Sequence, residues 1–305
     1  MTTTLPSPQQ SILQELMKKP LERILSIGIT GSGKSYQWLL LARRLLRTGV
    51  KFRVVDTDND ILYMLHTQFP DLLPENSGNV YVYPAYNWPE YEKAVRWVQQ
   101  IKLTPEQVNS LDKYLQLAYK TPIKPIDWVI VDKSNNAWKT VQNYFVNEVF
   151  GEDTGEYFLE VRKKLHAAGD IGKSGKKAVS TVLEGLDGWK DWSVINKLYD
   201  DWINPIVYRV RCHVYATADV DSLDKSEKDP EILSLFGNLH IKPAGQKAIG
   251  GQMHTILLFI PGADRWLVTT VKDRAGREYF SKVPLVDIYT QYLYRKAGWP
   301  LIVSE

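Results

Sequence analysis

Cysteine is nearly missing from this chain. Its one representative, Cys212, sits in the apolar stretch "YRVRCHVYATA". A single thiol excludes an intramolecular disulfide and any zinc site built on cysteines, and a strand interior is its expected place. Histidine is scarce as well: there are five, none at the HxxxH spacing of a zinc-binding helix. No run of about 18 apolar residues occurs, so no membrane span is expected. The opening "MTTTLPSPQQ" lacks the basic-then-apolar order of a secretory signal, and a reducing cytoplasm is the expected compartment. A large excess of one charge is also absent. With 38 Lys and Arg against 35 Asp and Glu the net charge is +3, too small to imply a nucleic-acid partner unless the basic surface is local.

What the chain has is core-building material. Of 305 residues 44% are apolar, and there are ten Trp and 17 Tyr. This suits one large domain over 21–305, preceded by a tail and short helix over 1–20. Apolar strands are read at 22–30, 51–60, 79–85, 127–131 and 212–218. Helical stretches fall between them: 34–49 closed by Gly49, 89–101, one from Thr104-Pro105-Glu106, 137–150, and 191–210 bent or ended by Pro205. "QMHTILLFI", the turn "PGAD" and "RWLVTTV" read as an antiparallel hairpin, and 284–299 as a last helix. Residues 219–238 read as a polar loop. Seven glycines between 151 and 188 mark about 151–190 as a mobile insertion carrying a helix near 156–167. Strands alternating with helices predict an α/β fold: a mostly parallel twisted sheet, helices on both faces, and an antiparallel C-terminal hairpin.

One motif dominates. "GITGSGKS", Gly28 to Ser35, fits G-x-x-x-x-G-K-[ST], and a chance match in a chain of this length has odds of about one in a hundred. A buried strand precedes it and a helix follows, as phosphate binding requires. Glycines let backbone N–H groups turn inward. The helix N-terminus adds partial positive charge. Lys34 is placed to reach the β- and γ-phosphates, and Ser35 to ligate Mg²⁺. Thr30, Gly31, Ser32, Gly33, Lys34, Ser35 and Tyr36 form the candidate ATP contact. The partner acid should end a second apolar strand, and "DWVIVD" supplies Asp132 as the second metal candidate. Together they point to a nucleoside triphosphatase using ATP and Mg²⁺. No N-K-x-D specifies guanine, and a second core of the helicase kind is missing. A small-molecule kinase with 151–190 as its lid remains an alternative.

The order of parts after the phosphate loop resembles the RecA-like P-loop ATPase core. The resemblance is carried by "VVDTDND", "DWVIVD", "ATADVD" and "TVKDRAG", over roughly residues 21–60, 126–150 and 191–283. It comes nearest to short phage-encoded nucleotide-binding and single-strand annealing proteins, through "DW…INKLYDDWINPIV", "GGQMHTILLF" and "KDR". The family ends its second strand with a catalytic acid, usually Glu. Asp58 is the match here, with Asp56 as competitor, or a helix cap in place of either role. Thr217 matches the polar sensor of the γ-phosphate. Lys272 and Arg274 match the Lys-x-Arg pair that crosses to a neighbouring subunit's nucleotide, which implies a homo-oligomer, ring or filament, with shared ATP sites. The resemblance further implies action on single-stranded DNA in phage recombination, annealing or replication, in the host cytoplasm. An oligomeric regulatory ATPase without DNA binding is the other family reading.

The candidate DNA contact is 161–180, "VRKKLHAAGDIGKSGKKAVS". Six Lys and Arg stand there against Asp170 alone, a net +5 within a chain of +3. Lys163, Lys164, Lys173, Lys176 and Lys177 are the candidate phosphate contacts.

Overall fold

A computed structural model of the protein describes residues 21–274 and 281–284, apart from 102, 152, 154, 158, 161, 164–189, 247 and 264. The reading of 1–20, the glycine-rich part of the insertion and the last helix lies outside the described residues.

The first strand, β1 (Arg23–Gly28), runs through the phosphate motif into helix α1 (Lys34–Arg44). A 3-10 turn (Leu46–Thr48) and Gly49 in the left-handed region lead on to β2 (Phe52–Asp56). Helix α2 (Asp60–Gln68), β3 (Val80–Pro84), α3 (Trp88–Gln99), α4 (Pro105–Asn109) and α5 (Lys113–Lys120) follow. Thr104 caps α4, and Gln107 returns the bond to complete a capping box. Next come β4 (Trp128–Asp132), α6 (Ser134–Phe150), α7 (Lys190–Asn204) and β5 (His213–Ala218). Between α7 and β5 the chain makes a π-turn (Pro205–Arg209), where Pro205 has no N–H for the regular ladder.

The segment expected to be a polar loop, 219–238, is more ordered than that. It belongs to an arm formed by β6 (Val220–Ser222), α8 (Pro230–Phe236) and β7 (Ile241–Pro243). The elements are short, and Ile232 and Phe236 are the only two buried side chains that α8 offers, too few for a periodic signal. Helix α9 (Ile249–Gln252), β8 (Thr255–Pro261), β9 (Trp266–Asp273) and β10 (Val283–Pro284) complete the described fold.

The main sheet has eight strands in the order β10-β9-β8-β1-β5-β4-β2-β3. From β3 to β8 all neighbours are parallel; β9 and β10 are each antiparallel to the strand before. Helices cover both faces, so the inner strands are buried throughout and read as continuous apolar runs. Leu25, Val55, Val131 and Ala216 pack beneath α3, α6 and α7. Ile24, Val54, Ile130 and Tyr215 pack beneath α1 and α2. In this α/β arrangement β1 and β2 are separated by β5 and β4, and the carboxyl ends of all four open on one crevice. Such a crevice is where ligands meet open parallel sheets.

Candidate nucleotide site

The Gly28–Ser35 motif forms a turn that glycine makes without strain. Gly31 and Gly33 have φ of 78° and 87°, the left-handed region where a side chain is strained. A Cβ on Gly28 would lie 2.7 Å from both the Phe259 carbonyl and Ser32 Oγ. Ser32 itself is buried, and its Oγ has no hydrogen-bond partner among the described residues. The Ser32 hydroxyl is thus packed against Gly28 within the loop. Behind it, Ser26 Oγ donates to Tyr215 Oη and Tyr215 Oη to the Lys34 carbonyl, at 2.6 and 3.0 Å, which fastens the first turn of α1 to the sheet.

A cleft of about 460 Å³ lies over the loop. Its lining includes Thr30 to Tyr36, Asp58, Asp132, Lys133, Thr217 and Asp219. All seven candidate ATP contacts are there, with Asp58, Asp132 and Thr217. Lys34 Nζ donates to the carbonyls of Gly28 and Ile29 at 2.8 and 2.9 Å and pairs with Asp219 at 3.3 Å. Burial is the largest influence on this ammonium and lowers its pKa, while the Asp219 charge opposes.

Asp132 is at the centre. Its Oδ1 accepts from Ser35 Oγ at 2.8 Å and from Thr217 Oγ1 at 3.1 Å, so the two candidate metal ligands are already side by side. Burial, and then the charge of Asp58, push its pKa up to about 6; the Ser35 and Thr217 hydroxyls pull the other way. Thr217 Oγ1 also accepts the Lys133 N–H at 2.7 Å. The hydroxyl is thus committed both as donor and acceptor, between the Asp132 carboxylate and the turn after β4.

The two acids ending β2 separate cleanly. Asp56 is fully buried, and its carboxylate accepts the N–H groups of Asp58, Asn59 and Ile61. It ties down the entry of α2, as a cap would. Burial first, and then the Asp132 charge, raise its pKa to about 7. Asp58 faces the cleft, with its Oδ2 2.8 Å from Lys133 Nζ. Oxygens of Asp56, Asp58 and Asp132 lie within 4.8 Å of one another, a spacing a divalent cation can bridge.

Sequence reasoning passed over Lys133, Asn135 and Asp219. Lys133 has φ 59°, left-handed without being glycine and costing about 1 kcal/mol. The conformation is held by the Thr217 contact and by Thr57 Oγ1, which donates to the Lys133 carbonyl at 2.9 Å. Burial works against its ammonium, but the hydrogen bond and charge of Asp58 outweigh that and hold its pKa above the ordinary lysine value. The signal was a run of polar residues, "DKSNN", directly after a buried strand.

Lys272 and Arg274 lie elsewhere. In register, Gly28 pairs with Phe259 and Phe259 with Val268, whereas Ile24 pairs with Thr255 and Thr255 with Asp273. The pair therefore sits at the opposite end of the sheet from the phosphate loop, roughly 13 Å along the strands. Lys272 Nζ donates to the carbonyls of Gly250 and Gly251, and Arg274 donates to Gly251. Both cations share one face, and Asp273 is buried. Of the basic DNA candidates, Lys163 is exposed on a helical stretch; Lys164, Lys173, Lys176 and Lys177 lie outside the described residues.

No protein-family model matches the chain, and no curated protein does. Among solved structures, the crystal structure of the RadB recombinase is similar at 13% identity, covering 86% of this chain and 87% of that one, with a TM-score of 0.39. The fold class rests on the strand order and register. No helix among the described residues is long and apolar enough to cross a membrane.

Proposed function

We propose that the chain is a Mg²⁺-dependent ATPase with a RecA-like core, acting on single-stranded DNA as a homo-oligomer whose ATP sites are shared between subunits. The observation that carries the reading is the joining of Lys34, Ser35 and Asp132 on one cleft, with Ser35 hydrogen-bonded to Asp132. The residues present fit a triphosphate: the cleft of about 460 Å³ is lined by the Gly31–Gly33 turn, the Lys34 ammonium, the Ser35 hydroxyl and the Asp132 carboxylate. Ser35 and Asp132 would hold Mg²⁺, which when bound offsets the negative charge of the phosphates.

Lys34 binds the terminal phosphates and stabilises the charge that builds on them. Thr217 keeps the Asp132 carboxylate turned toward Ser35. Asp58 is the base that orients and deprotonates the attacking water, once its oxygen is released from Lys133. Lys272 and Arg274 serve the nucleotide of a neighbouring subunit. Hydrolysis of Mg-ATP, measured with and without single-stranded DNA, tests the reading. Lys34→Ala should lower the rate at least about a hundredfold, and DNA should raise the wild-type rate. No Lys34-dependent hydrolysis or nucleotide binding would sink the proposal.

One observation favours a second reading. The Asp58–Lys133 pair at 2.8 Å neutralises the candidate base, which suits a slow nucleotide-dependent assembly or regulatory ATPase. A slow rate indifferent to DNA, with particle mass rising in ATP, would select it.

A further inference from the structure

Asp219 follows β5 directly and is held from four directions. Its Oδ1 accepts from Lys34 Nζ at 3.3 Å and its Oδ2 from Asn135 Nδ2 at 3.3 Å. Its own N–H donates to Asn135 Oδ1 at 3.1 Å, and its carbonyl accepts the Ala244 N–H at 2.8 Å. One residue thus joins the phosphate-loop lysine, the first turn of α6 and the exit of β7. The other acceptors of Lys34 are neutral carbonyls, so among the described residues Asp219 makes the only ion pair to that ammonium.

A carboxylate on the wall of a phosphate cleft is costly to keep. It repels an incoming anion and shares the cation that anion needs. The reciprocal pair with Asn135 fixes it there all the same. We propose that Asp219 is a positioning residue that sets the affinity of Lys34 for phosphate: it competes with the terminal phosphates of the nucleotide for the ammonium and is displaced when they bind. The inference rests on the nucleoside triphosphate reading above.

The displacement has a route outward. Val220–Ser222 pairs with Ile241–Pro243, directly after Asp219. Gly245, at φ 96°, lies so near Asn135 that a Cβ there would come within 3.2 Å of the Asn135 Cα. The arm therefore rests on Asp219 and Asn135 together. It also carries Glu231, whose carboxylate lies 3.9 Å from Lys272 Nζ. A shift of Asp219 is felt where Lys272 is held.

Equilibrium titration of the full chain with Mg-ATP and Mg-ADP tests this, with Asp219→Asn and Lys34→Ala alongside. Asp219→Asn should bind the triphosphate roughly fivefold tighter, with a smaller gain for the diphosphate. A residue that only shaped the fold would weaken binding on replacement or leave it alone. Amide hydrogen exchange on the wild type needs no variant: exchange at Ala244 should quicken on saturation with a non-hydrolysable triphosphate. Unchanged or weaker triphosphate binding by a folded Asp219→Asn, or unchanged exchange at Ala244 in the saturated wild type, overturns the inference and leaves nucleotide binding standing. If the wild type shows no Lys34-dependent nucleotide binding, the inference and the reading beneath it both fall.

Discussion

Asp56 and Asp58 stand two residues apart in "VVDTDND", and nothing in their spelling separates them. The difference is which way each side chain leaves the strand end. Asp56 turns inward, where three backbone N–H groups consume its carboxylate; Asp58 turns out to the cleft and meets Lys133. His213 shows the same dependence on direction. It lies flat against Trp128, accepts the Glu22 N–H through Nδ1, and is buried. Burial, and then Arg23, lower its pKa to about 3. An unfolded chain would protonate it near pH 6.5, so between these values the unfolded state binds more protons. Its stabilising share is complete above about pH 6.5 and is lost as the pH falls toward 3, at up to about 1.4 kcal/mol per pH unit. Urea midpoints from pH 7 to pH 4 should fall faster for the wild type than for His213→Phe; parallel slopes would contradict this.

At the scale of elements, one buried pair holds a corner the pattern hides. Arg53, in the middle of β2, is fully buried, with Asp127 at 3.3 Å. Its guanidinium also donates to the carbonyls of Ala118 and Thr121, while Asp127 accepts the N–H groups of Lys51 and Lys124. Strands β2 and β4 and the end of α5 are clasped together. Asp127→Ala would leave a buried guanidinium without its counter-charge and should cost about 3–5 kcal/mol, read as a lower midpoint in denaturant unfolding. A loss under 1 kcal/mol would mean the pair is dispensable. From sequence, Arg53 in "KFRVVD" looks like an outward-facing strand residue. Strands β1, β2, β4 and β5 were legible because burial on both faces leaves continuous apolar runs. Elements β6, β7 and α8 were not, because two or three buried side chains make no period. The π-turn at Pro205–Arg209 was visible only as a proline; Arg23, donating to the carbonyls of Val207, Val210 and Cys212, is what closes it.

For the whole molecule, strand order sets what one chain can do alone. Phosphate loop, Asp132, Thr217 and Asp58 meet because β1, β5, β4 and β2 are neighbours with their carboxyl ends aligned. Lys272 and Arg274 lie at the other end of the sheet because β9 runs antiparallel. If they serve a neighbour's nucleotide, Lys34→Ala and Arg274→Ala should each be inactive alone and recover part of the activity when co-assembled, since some interfaces then combine two intact halves. No recovery in assemblies shown to be mixed would return the pair to a local task on the α9 carbonyls.

The glycine turn between β1 and α1, the run of buried strands and the acid closing "DWVIVD" could be read from the chain alone. Each is a local pattern: glycines where the backbone must turn left-handed, apolar runs where both faces are covered, a carboxylate where a strand ends. Which of two neighbouring acids faces the cleft, what holds Lys34, and where the Lys-x-Arg pair sits were decided only by tertiary structure. Those answers come from partners far apart in the chain, Asp58 with Lys133, Lys34 with Asp219, and β1 with β8, which sets where β9 lies, and no local pattern encodes a contact with a residue on another strand.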